Sequence, residues 1–271
     1  MTPRQLQTPF GDDPCEDVPL SRAPLVRVLA QLRFEPLAVL DSTNAASLFA
    51  AEVGNAYPYL EKGAEFNMVV GAGQVSPQMG QTQVWRFRSP DRATTVSLTN
   101  GSLSLETTSY PGNAEFCASL STLAAALKKV AYVPAYTRLG YRYTNRLTDD
   151  AVIHDLSKFV RTEILGVSGT ELGGSAVLQH SLSQAAFQID ETTGLLAQWG
   201  EMPPGGTYDP TLSAIQQRSW VLDLDSFYQA SEVSSQPEYV REKAERLAMS
   251  AYRFFRWAVK DEFLAYFGGV L

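Results

Sequence analysis

The chain has 271 residues, 45% hydrophobic and 19% charged, enough apolar content to bury a sizeable core and too much for a disordered chain. Its formal net charge of −7 disfavours indiscriminate binding to nucleic acid or to an anionic membrane, though not a local basic patch. Two Cys and two His exclude a zinc-finger array, a disulfide scaffold and a His-rich metal centre, and no cofactor is expected.

No apolar run approaches the roughly 18–20 residues of a membrane span. The start, Met1-Thr2-Pro3-Arg4-Gln5, lacks a charged-then-apolar signal pattern, so a cytoplasmic protein is expected. Residues 1–22 carry Pro3, Pro9, Pro14 and Pro19 among Asp12, Asp13, Glu16 and Asp17, with no apolar period. That composition predicts a flexible acidic arm, either a frayed terminus or a partner-binding segment.

Regular structure begins with a strand over 26–34. Val26, Val28, Ala30, Leu32 and Phe34 share one face; Arg27, Gln31 and Arg33 share the other. Asp41-Ser42 offers an N-cap to a helix carrying Ala45, Leu48, Phe49, Val53 and Ala56, closed by Pro58. Four strands follow, over 65–70, 83–88, 94–99 and 102–109. Ser89-Pro90-Asp91 and Asn100-Gly101 supply turns between them. Gly71-Ala72-Gly73 reads as a hairpin loop, being too short for a phosphate-binding fingerprint. After Pro111-Gly112-Asn113, the spacing of Phe116, Leu120, Leu123, Leu127 and Val130 predicts a helix with one buried stripe.

The order then restarts. A strand over 138–147 sets Leu139, Tyr141, Tyr143 and Asn145 opposite Arg138, Gly140, Arg142, Thr144 and Arg146. Thr148 is read as the cap of a helix containing Val152, Leu156, Phe159, Val160 and Ile164. Strands are predicted over 176–187, 194–202 and 220–228, with Pro203-Pro204-Gly205-Gly206 as a loop. Ser235-Gln236-Pro237-Glu238 looks like a capping box opening a long last helix with the stripe Val240, Ala244, Leu247, Ala251, Phe254 and Ala258. Tyr252, Phe255, Trp257, Tyr266 and Phe267 widen that stripe, which suits a helix buried between two halves or a surface for oligomerisation.

Recurrence of one element order at half the chain length predicts duplication, although the halves share little residue identity. The reading is an α+β protein: an acidic arm at 1–22, a first β-α-β4-α repeat at 23–135 and a second β-α-β(3-4)-α repeat at 136–271. Together the repeats would form an antiparallel sheet with helices on one face. This order resembles the TATA-binding-protein-like fold and its relative, the helix-grip fold; fold alone does not fix function.

On such a sheet, Arg27, Arg33, Arg86, Arg88, Arg138, Arg142 and Arg146 fall on the face away from the helices. The planar guanidinium fork suits phosphate or carboxylate, so these seven are the candidate ligand-binding residues. The competing reading pairs them with Asp and Glu on neighbouring strands or leaves them in solvent.

Several segments resemble a sporadically distributed family of uncharacterised bacterial and archaeal proteins. They are Pro24-Leu25-Val26 through Phe34, Tyr57-Pro58, Trp85-Arg86-Phe87, Leu105 to Tyr110 with Phe116, and above all Arg138-Leu139-Gly140-Tyr141-Arg142-Tyr143-Thr144-Asn145-Arg146. The stretch Trp220 to Tyr228 fits less specifically. The resemblance implies no settled activity and no catalytic residue; its patchy distribution implies mobile genes of the kind found in phage-defence or toxin–antitoxin settings.

Catalytic signals are weak. Asp223 and Asp225 share a strand face and could hold a cation or act as base on a phosphorylated substrate, but no third carboxylate stands at a telling spacing. Neutralisation by Arg138, Arg142 or Arg146 is the simpler reading. His154 and His180 lie in no nucleophile motif. Cys117 belongs to a helix stripe and Cys15 to the acidic arm, so neither is read as a reactive thiol. The sequence therefore predicts a non-enzymatic binding or adaptor protein for a partner protein or anionic ligand.

Overall fold

The computed structural model describes residues 5–67, 70–71, 74–75 and 80–270. In chain order its strands and helices are β1 (Leu25–Arg33), α1 (Thr43–Val53), β2 (Tyr59–Asn67), β3 (Val70–Gly71), β4 (Gln74–Val75), β5 (Gly80–Arg88), β6 (Thr94–Leu98), β7 (Ser102–Thr107) and α2 (Asn113–Val130). Then come β8 (Ala135–Leu147), α3 (Asp150–His154), α4 (Leu156–Phe159), α5 (Thr162–Leu165), β9 (Ser183–Gln188), β10 (Thr193–Met202), β11 (Ser219–Ser234), α6 (Pro237–Ala258) and α7 (Asp261–Tyr266). Nine strands make one open antiparallel sheet in the order β2-β5-β6-β7-β1-β8-β11-β10-β9, and β3 pairs with β4 separately. The strand predicted over 65–70 begins earlier, at Tyr59, and its residues 68–69 lie outside the described residues, as do 72–73 of the predicted glycine hairpin.

The chain divides into two compact units. The first holds residues 1–28, 142–227 and 246–271; the second holds 29–141 and 228–245.

In the second unit, Ser42 caps α1, its hydroxyl oxygen accepting the Ala45 N–H at 3.1 Å. The cap fixes the helix start, so Phe49 meets Phe87 of β5 with ring centroids 5.0 Å apart. β5, β6 and β7 pair in the register Arg86↔Ser97↔Ser104 and Arg88↔Thr95↔Glu106. Trp85, Phe87, Val96, Leu98, Leu103 and Leu105 are buried, while the alternating polar residues stay half-buried. α2 buries Phe116, Leu120, Leu123 and Leu127, the stripe read from the sequence. The predicted capping box does not form. Ser235 donates to the Pro134 carbonyl at 3.4 Å instead of capping α6, and Pro237 is the first helical residue.

In the first unit, Leu147, Leu195, Ala197, Trp220, Leu222 and Leu224 from three strands pack against Ala251, Phe254, Phe255 and Ala258 of α6 and Phe263 and Leu264 of α7. The helix predicted after Thr148 is broken into α3, α4 and α5, and Asp149 supplies the cap by accepting the Ala151 N–H at 2.9 Å. Long-range backbone pairing explains the break. Val160 is extended and bridges Val259, Arg161 N–H donates to Ala258 at 2.9 Å, and Lys260 N–H donates to Phe159 at 2.9 Å. The strand predicted over 176–187 shrinks to β9, and its early apolar residues stay largely outside the core: Val177 is 71% exposed and Leu182 40%. Tyr266 sits on α7 and Phe267 just beyond it, not on the long helix.

The acidic N-terminal segment of this unit forms no helix or long strand over residues 5–22, only the bridge Leu20↔Gly269. It is held by side chains that grip its backbone. Arg256 donates to Glu16 O at 3.0 Å, Arg253 to Asp13 O at 2.6 Å and to Gly11 O, and Arg161 to Leu6 O. Leu6 and Val18 are buried, and the Phe10 ring lies 5.2 Å from Phe187 and 6.0 Å from Phe254.

Candidate functional site

A dense polar cluster lies in the first unit, where the loop between β10 and β11 meets arginines of β1 and β8. Pro203-Pro204-Gly205-Gly206 turns the chain, closed by Gly206 N–H to Pro203 O at 2.9 Å, with Gly205 at φ +77° where a side chain would be strained. The next turn is Asp209-Pro210-Thr211. Asp209 Oδ1 accepts the Thr211 N–H at 2.9 Å and its hydroxyl at 2.6 Å, fixing the carboxylate's direction.

Two arginines converge on the other oxygen. Arg27 Nη2 reaches Asp209 Oδ2 at 2.8 Å and Arg142 Nη2 reaches it at 2.9 Å, while Arg27 Nη1 donates to Thr211 Oγ1 at 2.6 Å. Arg142 also grips Asp223 with two parallel bonds of 2.7 Å, from Nε and Nη2. Tyr208 and Thr144 donate their hydroxyls to Asp223 Oδ2, Thr144 at 3.3 Å. The site is nearly dry: the Arg27 side chain is 3% exposed and Asp223 2%, although Arg142 keeps 22%.

These contacts set the protonation of the site. Burial pushes the Asp209 carboxyl up, but Thr211, Arg142 and Arg27 outweigh it and hold it down at about 2. Burial, then the Asp223 charge, pushes the Tyr208 phenol far above its ordinary value, so it stays a donor. Burial opposes the Arg142 charge, but its bonds to Asp223 prevail and make it more basic than a free guanidinium. At ordinary pH Asp209 is therefore a carboxylate, Tyr208 a phenol and Arg142 a cation.

The remaining predicted residues lie elsewhere. Arg146 Nη1 donates to Ser213 O at 3.0 Å, so a second β8 arginine reaches the same loop. In the second unit, Arg33 donates to Gln31 Oε1 at 2.8 Å and Arg88 pairs with Glu61 at 3.1 Å on the solvated surface. Arg86 is half-buried in register with Glu61 and Ser97. Arg138 lies over Gly140, where a Cβ would come within 3.0 Å of its guanidinium carbon; glycine lets the arginine lie flat on the strand.

Asp223 has its oxygens occupied by Arg142, Tyr208 and Thr144, which leaves it poorly suited to bind a cation or abstract a proton. Asp225 is half-buried on the same strand. Among the described residues no group of three or more His, Cys, Asp or Glu is placed to hold a metal ion, and no helix is long and apolar enough to cross a membrane. His154 and His180 are exposed and outside the cluster. Cys117 is buried, donates to Asn113 Oδ1 at 3.1 Å, and has its thiol pushed up to about 12 by burial.

Sequence reasoning passed over Tyr208, Asp209, Thr211 and Thr144. The dipeptide Asp209-Pro210 followed by a hydroxyl residue was a readable turn signal, but nothing local says which strand such a turn lands on. Compared with known proteins, the chain matches no family model and no curated protein.

Proposed function

We propose that the protein is a non-enzymatic binding or adaptor protein, and that the arginine-bearing sheet face of its second unit takes an anionic group of a partner. The supporting observation is the cross-strand row Glu61↔Arg86↔Ser97↔Ser104 beside Tyr59↔Arg88↔Thr95↔Glu106. Guanidinium, hydroxyl and carboxylate groups stand there at strand spacing, half-exposed, above a row of buried apolar side chains. Arg33 and Arg138 occupy the alternating positions of their own strands. The Arg88–Glu61 pair leaves 35% and 55% of its side chains exposed; solvated pairs of this kind contribute about 0–1 kcal/mol, so a partner's carboxylate or phosphate competes for Arg88 at low cost. The saturated carboxylate of Asp223 argues against the rival reading, an enzyme acting on a phosphorylated substrate.

A duplication origin fits the same sheet. β1 and β8 stand side by side at its centre, with β7, β6, β5 and β2 outward on one side and β11, β10 and β9 on the other. That mirrored order is compatible with two fused TATA-binding-protein-like repeats.

The test is fluorescence anisotropy of a labelled acidic peptide at physiological ionic strength, where long-range repulsion from the net charge is screened. The Arg86→Ala/Arg88→Ala/Arg138→Ala variant should bind at least tenfold more weakly with an unchanged melting temperature. Equal binding by both proteins would overturn the proposal.

A further inference from the structure

We infer that the outer edge of β9 is a dimerisation surface, on which a second copy of this chain adds its own β9 antiparallel and continues the sheet. The surface lies wholly within the first unit and does not depend on the reading of the other unit's sheet face. β9 ends the sheet order, and among the described residues no backbone hydrogen bond reaches it from its outer side. The register with β10 tells which groups are left over. Ser181 N–H donates to Glu201 O at 3.1 Å and Ile189 N–H to Thr193 O at 2.9 Å. They flank the pairing that sets Ser183, Ala185 and Phe187 opposite Trp199, Ala197 and Leu195. Bonded pairs alternate along an antiparallel ladder, so these odd-numbered residues direct their amides and carbonyls to β10. Gln184, Ala186 and Gln188, with Leu182 just before the strand, aim theirs away from it, and all are exposed. The edge is held in strand geometry before any partner arrives. The Phe187 ring packs 5.6 Å from Phe254 on one face, and on the other Gln198 donates to Gln184 Oε1 at 2.8 Å.

Sheet edges that must stay single carry charges, proline or bulges. β2, at the other end of the sheet order, carries Glu61 and Lys62, whereas residues 172–189 contain no Asp, Glu, Lys, Arg or Pro. That edge is therefore open to a strand, and its chemistry selects which. A foreign strand is chosen by charge or by pockets for its side chains, and an outward row of Gln and Ala offers neither. A second copy matches the row by two-fold symmetry. The register that hydrogen-bonds the whole row sets Leu182 against Gln188, Gln184 against Ala186, and Ala185 against its own copy. No charges are apposed, in a chain whose net charge of −7 would set most of its surface against itself. The non-bonded position on the axis, where Cα atoms approach to about 4.5 Å, falls on the small side chain of Ala185. Leu182, 40% exposed, gains a neighbour at each end of the pairing.

The experiment is sedimentation velocity of the full chain from low micromolar to submillimolar concentration, at physiological ionic strength, where repulsion between two acidic copies is screened. The wild type is expected to pass from monomer to dimer across that range. Ala186→Pro deletes an outward N–H and none of the bonds to β10. Ala186→Lys sets two like charges diagonally across the axis, about 7–8 Å apart. Each should raise the dimer dissociation constant at least tenfold without lowering the melting temperature of the dilute monomer. Ala186→Ser, which keeps the donor and adds no charge, should dimerise as the wild type does. Residue-resolved hydrogen exchange locates the contact. With rising concentration the Gln184, Ala186 and Gln188 amides should slow, while Ala185 and Phe187 are protected at every concentration; this pattern and Ala186→Lys decide the matter should Ala186→Pro not fold. A chain that stays monomeric throughout overturns the inference and leaves the edge to a strand of another protein. A dimer that both Ala186→Pro and Ala186→Lys leave intact also overturns it and places the interface elsewhere.

Discussion

Arg142 and Asp223, on neighbouring strands of the sheet, face each other with two parallel hydrogen bonds of 2.7 Å, a fork-to-fork pair from which water is largely excluded. Buried pairs of this kind add little net stability over a well-packed apolar pair, yet breaking one side strands a charge. Arg142→Ala should therefore cost about 3–5 kcal/mol. The double variant Arg142→Met/Asp223→Leu should cost distinctly less than the single one in urea denaturation. A double variant no more stable than Arg142→Ala would mean that the pair is a net stabiliser.

Acid should loosen the loop. Asp209 is held at about 2, below its ordinary 3.8, and so binds its proton later in the folded protein than in the unfolded chain. Its contribution, about 2 kcal/mol, is present above about pH 4 and is lost as the pH falls toward 2. Between pH 6 and pH 2.5 the wild type should lose more stability in urea than Asp209→Asn does. Parallel losses would show that other carboxylates carry the acid sensitivity.

The thiols should differ in reactivity. Cys117 is buried with its thiol at about 12, whereas Cys15 is half-buried and raised less, Arg256 and Arg253 offsetting part of the burial. At pH 8 a disulfide reagent should modify one thiol of the native protein slowly and the second only on unfolding. Cys15→Ser should abolish the native-state reaction.

Phe10 should anchor the N-terminal segment. Its ring sits against Phe187 and Phe254, and neighbouring turns of the segment are gripped through their carbonyls. Phe10→Ala is expected to cost about 1–3 kcal/mol, less than a fully buried aromatic. It should also turn residues 5–22 from protease-resistant to protease-sensitive. Unchanged digestion would assign the hold to the arginines alone.

Much of the architecture was legible because burial writes itself into spacing. The alternation at Val96, Leu98, Leu103 and Leu105 and the stripe at Phe116, Leu120, Leu123 and Leu127 appear as read. Two of the failures share one cause, long-range backbone pairing overriding local preference. Val160 leaves its helix to bridge Val259, and β11 runs on to Ser234 through Gln229 and Glu232, which no apolar pattern marks. The candidate site was half legible for the same reason. Strand alternation identified Arg27 and Arg142, and Asp223 was already paired with arginine as the simpler reading. The landing place of Asp209, 182 residues from Arg27 in sequence, is set by the fold alone.

The central claim, that the sheet face of the second unit recognises an anionic partner, is tested most directly by hydrogen-exchange footprinting of the full chain with and without a saturating acidic peptide. The account predicts protection concentrated in residues 80–107, which carry β5, β6 and β7, and its loss in the Arg86→Ala/Arg88→Ala/Arg138→Ala variant. Protection confined to residues 237–258, or unaltered by those substitutions, would contradict it.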